Sequence, residues 1–166
     1  MRVTALIRYA AEPGDVFAML TDRDFQDRKL RATGATTWSV EVTPGASGGT
    51  TVRTTRELPT DEVPDAFRSL VGSSLTVVQT EEWGAPAADG SRSGKLTVQV
   101  PGAPLGVNGT VSLKPAAGGT EEVVEGDLKA KVPLIGGRIE KAAEPAIRMA
   151  IDVEERIGHA WLTEGH

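Results

Sequence analysis

The segment "KVPLIGGRIEKAAEPAIRMAIDVEERIGHAWL" near the C-terminus constrains the fold more than any other stretch. A valine-rich strand ends at Val132-Pro133, the glycine pair Gly136-Gly137 makes a hinge, and helical periodicity follows. Ile135, Ile139, Ala142, Ala143, Ala146, Met149, Ala150, Val153, Ile157 and Trp161 recur at i, i+3, i+4 and i+7. Glu140, Lys141, Glu144, Arg148, Asp152, Glu155 and Arg156 fill most remaining positions. The spacing predicts one long helix over 137–162 that lays a single apolar face on another surface. Pro145 lacks an N–H and crowds the preceding turn, so a kink is expected just before it. The face is built of alanines there, and Ala142 and Ala146 mark where the helix would approach closely or leave volume unfilled.

The rest of the chain supplies strands for that helix to cover. In "RVTALIRYA", Val3, Ala5, Ile7 and Tyr9 alternate with Arg2, Thr4 and Arg8, the pattern of a half-buried strand. The Pro13-Gly14 turn opens a short helix with Val16, Phe17, Met19 and Leu20. A second, more polar helix follows, anchored by Phe25 and Leu30 and ended at Gly34. Strand patterns come next: Trp38, Val40 and Val42; Val52, Thr54, Arg56 and Leu58; Leu75 to Trp83; Leu96, Val98 and Val100; Val107, Val111 and Leu113; Val124, Leu128, Ala130 and Val132. Short Gly-rich turns join most of them, which argues for an antiparallel meander rather than crossover units. Between the second and third patterns, "PTDEVPDAFRSLVGS" is a short helix or loop. With 166 residues, no repeat and no linker, the chain is expected to form one domain over 1–166.

This order of elements resembles the helix-grip fold of the START-like (SRPBCC) superfamily, which includes the birch-pollen-allergen proteins, lipid-transfer START domains, polyketide cyclases and coenzyme Q-binding proteins. The likeness spans essentially the whole chain. It rests on the opening "AAEPGDVFAMLTDRDFQDRKL", on the strand meander and on the entry "VPLIGGRIEKAAE" into the last helix, which looks closest to an uncharacterised actinobacterial branch. The resemblance implies an α+β fold in which a curved antiparallel sheet wraps a long C-terminal helix, with a short helix pair after strand 1. It also implies a hydrophobic ligand cavity between sheet and helix; some members of the superfamily are enzymes and many only bind or carry ligands.

Composition narrows the chemistry. A net charge of -5 argues against a nucleic-acid surface. No apolar run approaches the roughly 18 residues of a membrane-spanning helix, and arginines interrupt the N-terminal stretch where a signal peptide would need an apolar core. The expectation is a cytoplasmic protein without an integral membrane segment. Cysteine is absent and the two histidines, His159 and His166, form no cluster, so no metal, cofactor or catalytic triad is expected. His159 sits near the end of the last helix, where a positive charge suits the dipole. "GASGG", "AAGG" and "LIGG" lack the spacing and lysine of phosphate loops and are expected as hairpin turns and a hinge. Glu81-Glu82 and Glu121-Glu122 are adjacent pairs on strands. Their members point to opposite faces and are expected at solvated strand edges rather than as paired acids.

Candidate ligand-binding residues follow from strand parity and the helix stripe: Trp38, Val40, Arg56, Phe67, Val77, Glu81, Trp83, Val98, Val111, Leu128, Ala146, Met149 and Val153. Trp38, Phe67, Trp83 and Met149 fit either a cavity wall or plain core. Arg56 shares parity with Val52, Thr54 and Leu58. Facing inward, its guanidinium would grip a carboxylate or phosphate head group; a bulge would instead leave it at a wet rim. Gln79 and Glu81 share parity with Val77 and Trp83, and Arg56 is the candidate partner for an inward Glu81. The leading function is binding or transport of a hydrophobic small molecule (lipid, isoprenoid or polyketide-like). An enzyme of cyclase, dehydratase or hydrolase type would need an acid or base in that cavity, with Glu81, Tyr9 and Arg56 the visible options. A filled core would leave a surface for a partner, including a second copy of the chain.

Overall fold

In the computed structural model, which describes residues 1–166, alternating apolar residues become strands and one-sided stripes become helices. The order is β1 (Arg2–Tyr9), α1 (Pro13–Leu20), α2 (Arg23–Ala32), β2 (Thr37–Pro44), β3 (Thr50–Pro59), α3 (Asp65–Val71), β4 (Ser74–Trp83), β5 (Arg92–Gln99), β6 (Leu105–Ala116), β7 (Gly119–Ala130) and α4 (Gly136–Glu164). Local signals set the boundaries. Pro13 stands at the first turn of α1, where its missing N–H costs nothing. The Asp22 carboxylate caps α2 by accepting from the Asp24 and Phe25 amides. Gly34, at φ 84°, ends α2 in the left-handed conformation that a side chain would resist.

The seven strands form one antiparallel sheet in the order β1-β7-β6-β5-β4-β3-β2. The meander from β2 to β7 is the one the turns predict. In addition, β1 returns to pair with β7, with Val3 opposite Gly126 and Ile7 opposite Glu122. β1 and β2 are therefore the two edges, and α1 and α2 carry the chain from one to the other. Curvature has a sequence cause at Gly109 and Gly126, which face each other across β6 and β7. A Cβ on Gly109 would run into the Glu125 carbonyl oxygen, so the strands come closer here than any side chain allows.

The long helix α4 packs against β1, β7, α1 and α2. It runs unbroken through Pro145, which lies on its exposed side. Two apolar clusters form beneath it. The larger joins Ile7, Tyr9, Val16, Met19, Leu20, Phe25, Trp83, Leu113, Val153, Ile157 and Trp161, where α1 and α2 close one end of the sheet. The smaller is Val3, Val107 and Leu128, with Ala143, Ile147 and Ile151 of α4 packed on it. The fold is the α+β helix grip that the sequence resembles.

Candidate functional site

Between the two clusters the core is open. A cavity with about 210 Å³ available to water centres lies between the inner face of the sheet and the first half of α4. Such a volume is many times the size of a packing defect in a close-packed interior. Eighteen of its 27 lining residues are hydrophobic. The strands contribute Val3, Leu58, Leu75, Val77, Leu96, Val98, Val107, Val111, Val124 and Leu128. The helix contributes Ala143, Ala146, Ile147, Ala150, Ile151 and Glu154. Three alanines in this set explain the opening, because their side chains end at Cβ and the facing strands are already fixed by the ladder.

Of the residues singled out from sequence, Arg56, Val77, Glu81, Val98, Val111, Leu128 and Ala146 line the cavity. Trp38, Val40, Phe67, Trp83, Met149 and Val153 do not. Trp38 and Val40 belong to the edge strand β2, which α2 covers. The Trp38 indole N–H donates to Asp27 Oδ1 at 2.9 Å, and Arg31 sits over its ring. Phe67 is half-buried on α3, a helix with no buried residue. Trp83 and Val153 belong to the larger core cluster, and Phe17 meets the Trp83 ring edge to face at 5.9 Å. Met149 is 44% exposed, because the inward face of α4 is rotated toward Ile147, Ile151 and Glu154. Ala142 is exposed and outside the lining, while Ala143 takes the place expected of it.

The polar part of the wall differs from expectation. Glu122 is buried, whereas the adjacent-pair pattern predicts a solvated strand edge, and Glu81 is buried as its parity with Val77 and Trp83 allows. Their neighbours behave as expected: Glu82 is exposed, and Glu121 meets Arg8 at 3.3 Å on the outer face. One member of each pair points in because its parity is that of the cavity face, Glu81 with Val77 and Glu122 with Val124 and Leu128. Glu81 accepts from Gln79 Nε2 at 2.8 Å and from the Trp83 indole N–H at 3.0 Å. Lys29, from α2, donates to Glu154 Oε2 of α4 at 2.6 Å, and both are largely buried. Lys29 and Glu154 are not singled out by the sequence, and Glu122 is expected there only at a solvated strand edge. Glu122 was legible from its parity. Glu154 lies three residues beyond Ile151, on a stripe that the more regular apolar positions drew slightly off its axis.

Three carboxyl groups around one ammonium cannot all be charged without cost. Burial pushes the Glu122 carboxyl well above the ordinary carboxylate range, and Glu154 and Glu81 push it further. Burial raises Glu81 as well, opposed by Lys29. For Lys29, burial works against the charge, but Glu154, Glu81 and Glu122 outweigh it and hold the ammonium. The Tyr9 hydroxyl lies beside Glu122, and burial followed by Glu122 keeps it firmly protonated. Neither that hydroxyl nor Glu122 Oε2 has a partner in hydrogen-bond geometry.

Arg56 stands apart from this network. It forms no ion pair, and Glu81, its expected partner, is satisfied elsewhere. Its Nε is buried without a hydrogen-bond acceptor, and burial lowers its pKa. No cluster of three or more His, Asp or Glu side chains is arranged to hold a metal, and no helix is long and apolar enough to cross a membrane.

Solved structures share this architecture. A START superfamily protein from Mycobacterium smegmatis superposes with a TM-score of 0.55 at 14% identity, covering 93% of this chain and 94% of its own. The di-domain ARO/CYC StfQ of the steffimycin biosynthetic pathway gives 0.62 at 13% identity, covering 98% of this chain and 50% of StfQ. These likenesses make the fold START-like. In sequence, the chain is 24% identical over 162 residues to the uncharacterized protein Rv0481c of Mycobacterium tuberculosis, covering 93% of this chain and 92% of that one. That relative agrees with the actinobacterial branch its helix entry resembles. Residues 4–162 match the family described as "Protein of unknown function (DUF2505)", and the chain belongs to that family.

Proposed function

We propose that this protein binds a hydrophobic small molecule in the cavity between its sheet and α4. The observation that carries the reading is the cavity itself: about 210 Å³, mostly apolar in its lining, beneath a helix face of alanines. Ligand sites have this character, concave and apolar with a few convergent polar groups. Lipids, isoprenoids and polyketide-like rings all suit such a wall, and the ARO/CYC name of one structural neighbour adds weight to the last. A neutral reporter, N-phenyl-1-naphthylamine, tests it. Saturable binding with enhanced fluorescence is expected in the wild type. Ala146→Trp should abolish it while circular dichroism and unfolding remain close to wild type, because the indole would occupy empty volume. Absence of reporter binding in the wild type, together with a strong loss of stability in Ala146→Trp, would mean a solid core and end the proposal.

An enzymatic reading has one specific observation behind it. Glu122 is a buried carboxyl whose pKa is pushed well above the ordinary carboxylate range beside Tyr9, Lys29 and Glu154, the kind of environment that favours a general acid. A catalytic role for it would require Glu122→Gln to keep reporter binding and lose turnover of whatever substrate the cavity takes.

A further inference from the structure

The guanidinium of Arg56 lines the cavity with neither an ion-pair nor a hydrogen-bond partner, and its Nε is buried. The residue as a whole is half-buried, and a partly desolvated charge with no counter-ion is normally compensated. The protein's own carboxylates do not compensate it. Glu154, the one acid whose field reaches Arg56, is engaged by Lys29 at 2.6 Å. Glu81 is held by Gln79 and Trp83. We infer that Arg56 is the head-group site of the cavity and that its ligand is an amphipathic monocarboxylate, the carboxylate against the guanidinium and an apolar body along the sheet. The inference rests on the cavity's being a ligand site, as proposed above.

Position and charge specify the ligand further. Arg56 on β3 lies opposite Val77 on β4, four residues along the strand from Glu81. At about 3.3 Å per residue the roots of Arg56 and Glu81 are therefore roughly 13 Å apart along the sheet. A carboxylate at Arg56 thus keeps its distance from Glu81, while the apolar body runs past Val98, Val107, Leu128 and Ile147. A guanidinium presents two parallel N–H groups to a carboxylate, which fixes the head in plane. One unpaired cation balances one negative charge. A phosphate monoester carries nearly two and would place the excess in a cavity that already holds Glu81 and Glu154.

Displacement of N-phenyl-1-naphthylamine at pH 7.5 tests this with dodecanoate, methyl dodecanoate and dodecyl phosphate as competitors. In the wild type, dodecanoate should displace the reporter at a concentration about tenfold or more below that of the methyl ester, and below that of dodecyl phosphate. In Arg56→Met the ratio between acid and ester, measured against that variant's own reporter affinity, should fall to about one. Arg56→Lys, which keeps the charge and loses the fork, should retain part of the preference. Equal competition by acid and ester in the wild type, or an undiminished preference in Arg56→Met, overturns the head-group assignment and leaves the cavity standing. A preference for dodecyl phosphate overturns the monocarboxylate. A wild type that binds neither reporter nor dodecanoate overturns both this inference and the ligand-binding proposal. Should Arg56→Met fail to fold, the wild-type and Arg56→Lys ratios decide the matter alone.

Discussion

The two halves of α4 cover the same sheet and differ in what they leave beneath them. From Val153 onward the helix presents Val153, Ile157, Gly158 and Trp161, all buried, and the space is filled. Gly158 brings the helix so near β1 that a Cβ there would lie 2.6 Å from the Tyr9 ring. Before Val153 the cavity is lined by Ala143, Ile147, Ala150 and Ile151, with the exposed Ala146 at its edge, and about 210 Å³ stays open. Both halves carry a glycine or alanine at the contact, with opposite results. A small residue is a close approach where a bulky aromatic meets it and a void where the opposing strands offer aliphatic side chains and glycines that do not reach it. Lys29, Glu81, Glu122 and Glu154 sit at the seam, where a polar wall separates the solid end from the hollow one.

That seam is where the contrast breaks most easily. Lys29→Met removes the ammonium and leaves Glu154 unpaired with Glu81 and Glu122 nearby. Breaking a buried pair from one side costs about 3–5 kcal/mol, which urea unfolding would read directly. The double variant Lys29→Met with Glu154→Met should recover most of that loss, since both charges leave together. A loss in Lys29→Met within about 0.5 kcal/mol, the usual range for exposed sites, would show that water enters the seam and that the two ends are one continuous wet cavity.

Gly158→Ala sharpens the same contrast from the packed side. At an open helix position the change would stabilise by roughly 1 kcal/mol through helix propensity. Against the fixed Tyr9 ring it should instead cost about 1–3 kcal/mol by overpacking. Ala146→Leu, which adds more atoms over the cavity, should cost less than Gly158→Ala. The reverse order of midpoints in a denaturant series would mean that the difference between the halves lies elsewhere than in packing.

The fold was legible in the sequence because both periods it depends on are clean. Val3, Ile7 and Tyr9 alternate, and Ile139, Ile157 and Trp161 hold the helical spacing, so sheet and helix could be read locally. The pairing of β1 with β7 was not, because it joins residues more than a hundred positions apart and leaves no local mark. The candidate site was half legible. Strand parity carried Arg56, Val77, Glu81, Val98, Val111 and Leu128 to the cavity wall. It failed at Trp38 and Val40, because β2 is an edge and α2 takes its inward face. Met149 and Val153 failed for a different reason: seven residues of α4 turn the helix by slightly less than two full turns, so the inward face drifts from one flank of the stripe to the other. Glu122 shares the cavity-face parity, but its neighbour Glu121 masks it. A glutamate next to a glutamate on a strand is usually solvated, and only the presence of Lys29 on a distant helix makes the inward one tolerable.

The protonation of Glu122 is the smallest and most specific of these differences. Its carboxyl faces Tyr9 on β1, Glu81 on β4, Lys29 on α2 and Glu154 on α4. Burial, then Glu154 and Glu81, raises its pKa in the folded protein, while the unfolded chain titrates near the ordinary 4.5. The folded state therefore binds this proton more tightly than the unfolded state does. Its stabilising contribution is complete below about pH 4.5 and is lost as pH rises toward the folded-state value. Glu122→Gln keeps the shape and removes the titration. The variant should match the wild type near pH 5 and exceed it increasingly toward pH 8, by about 2–4 °C in Tm per ~1 kcal/mol of lost stabilisation. Some pH dependence should survive, because Glu81 is raised in the same direction. Parallel Tm profiles for the two proteins from pH 5 to 8 would mean that Glu122 is ionised in the folded state. The seam would then hold a charged carboxylate facing the hollow end, and Lys29 would be shared between two anions rather than committed to Glu154.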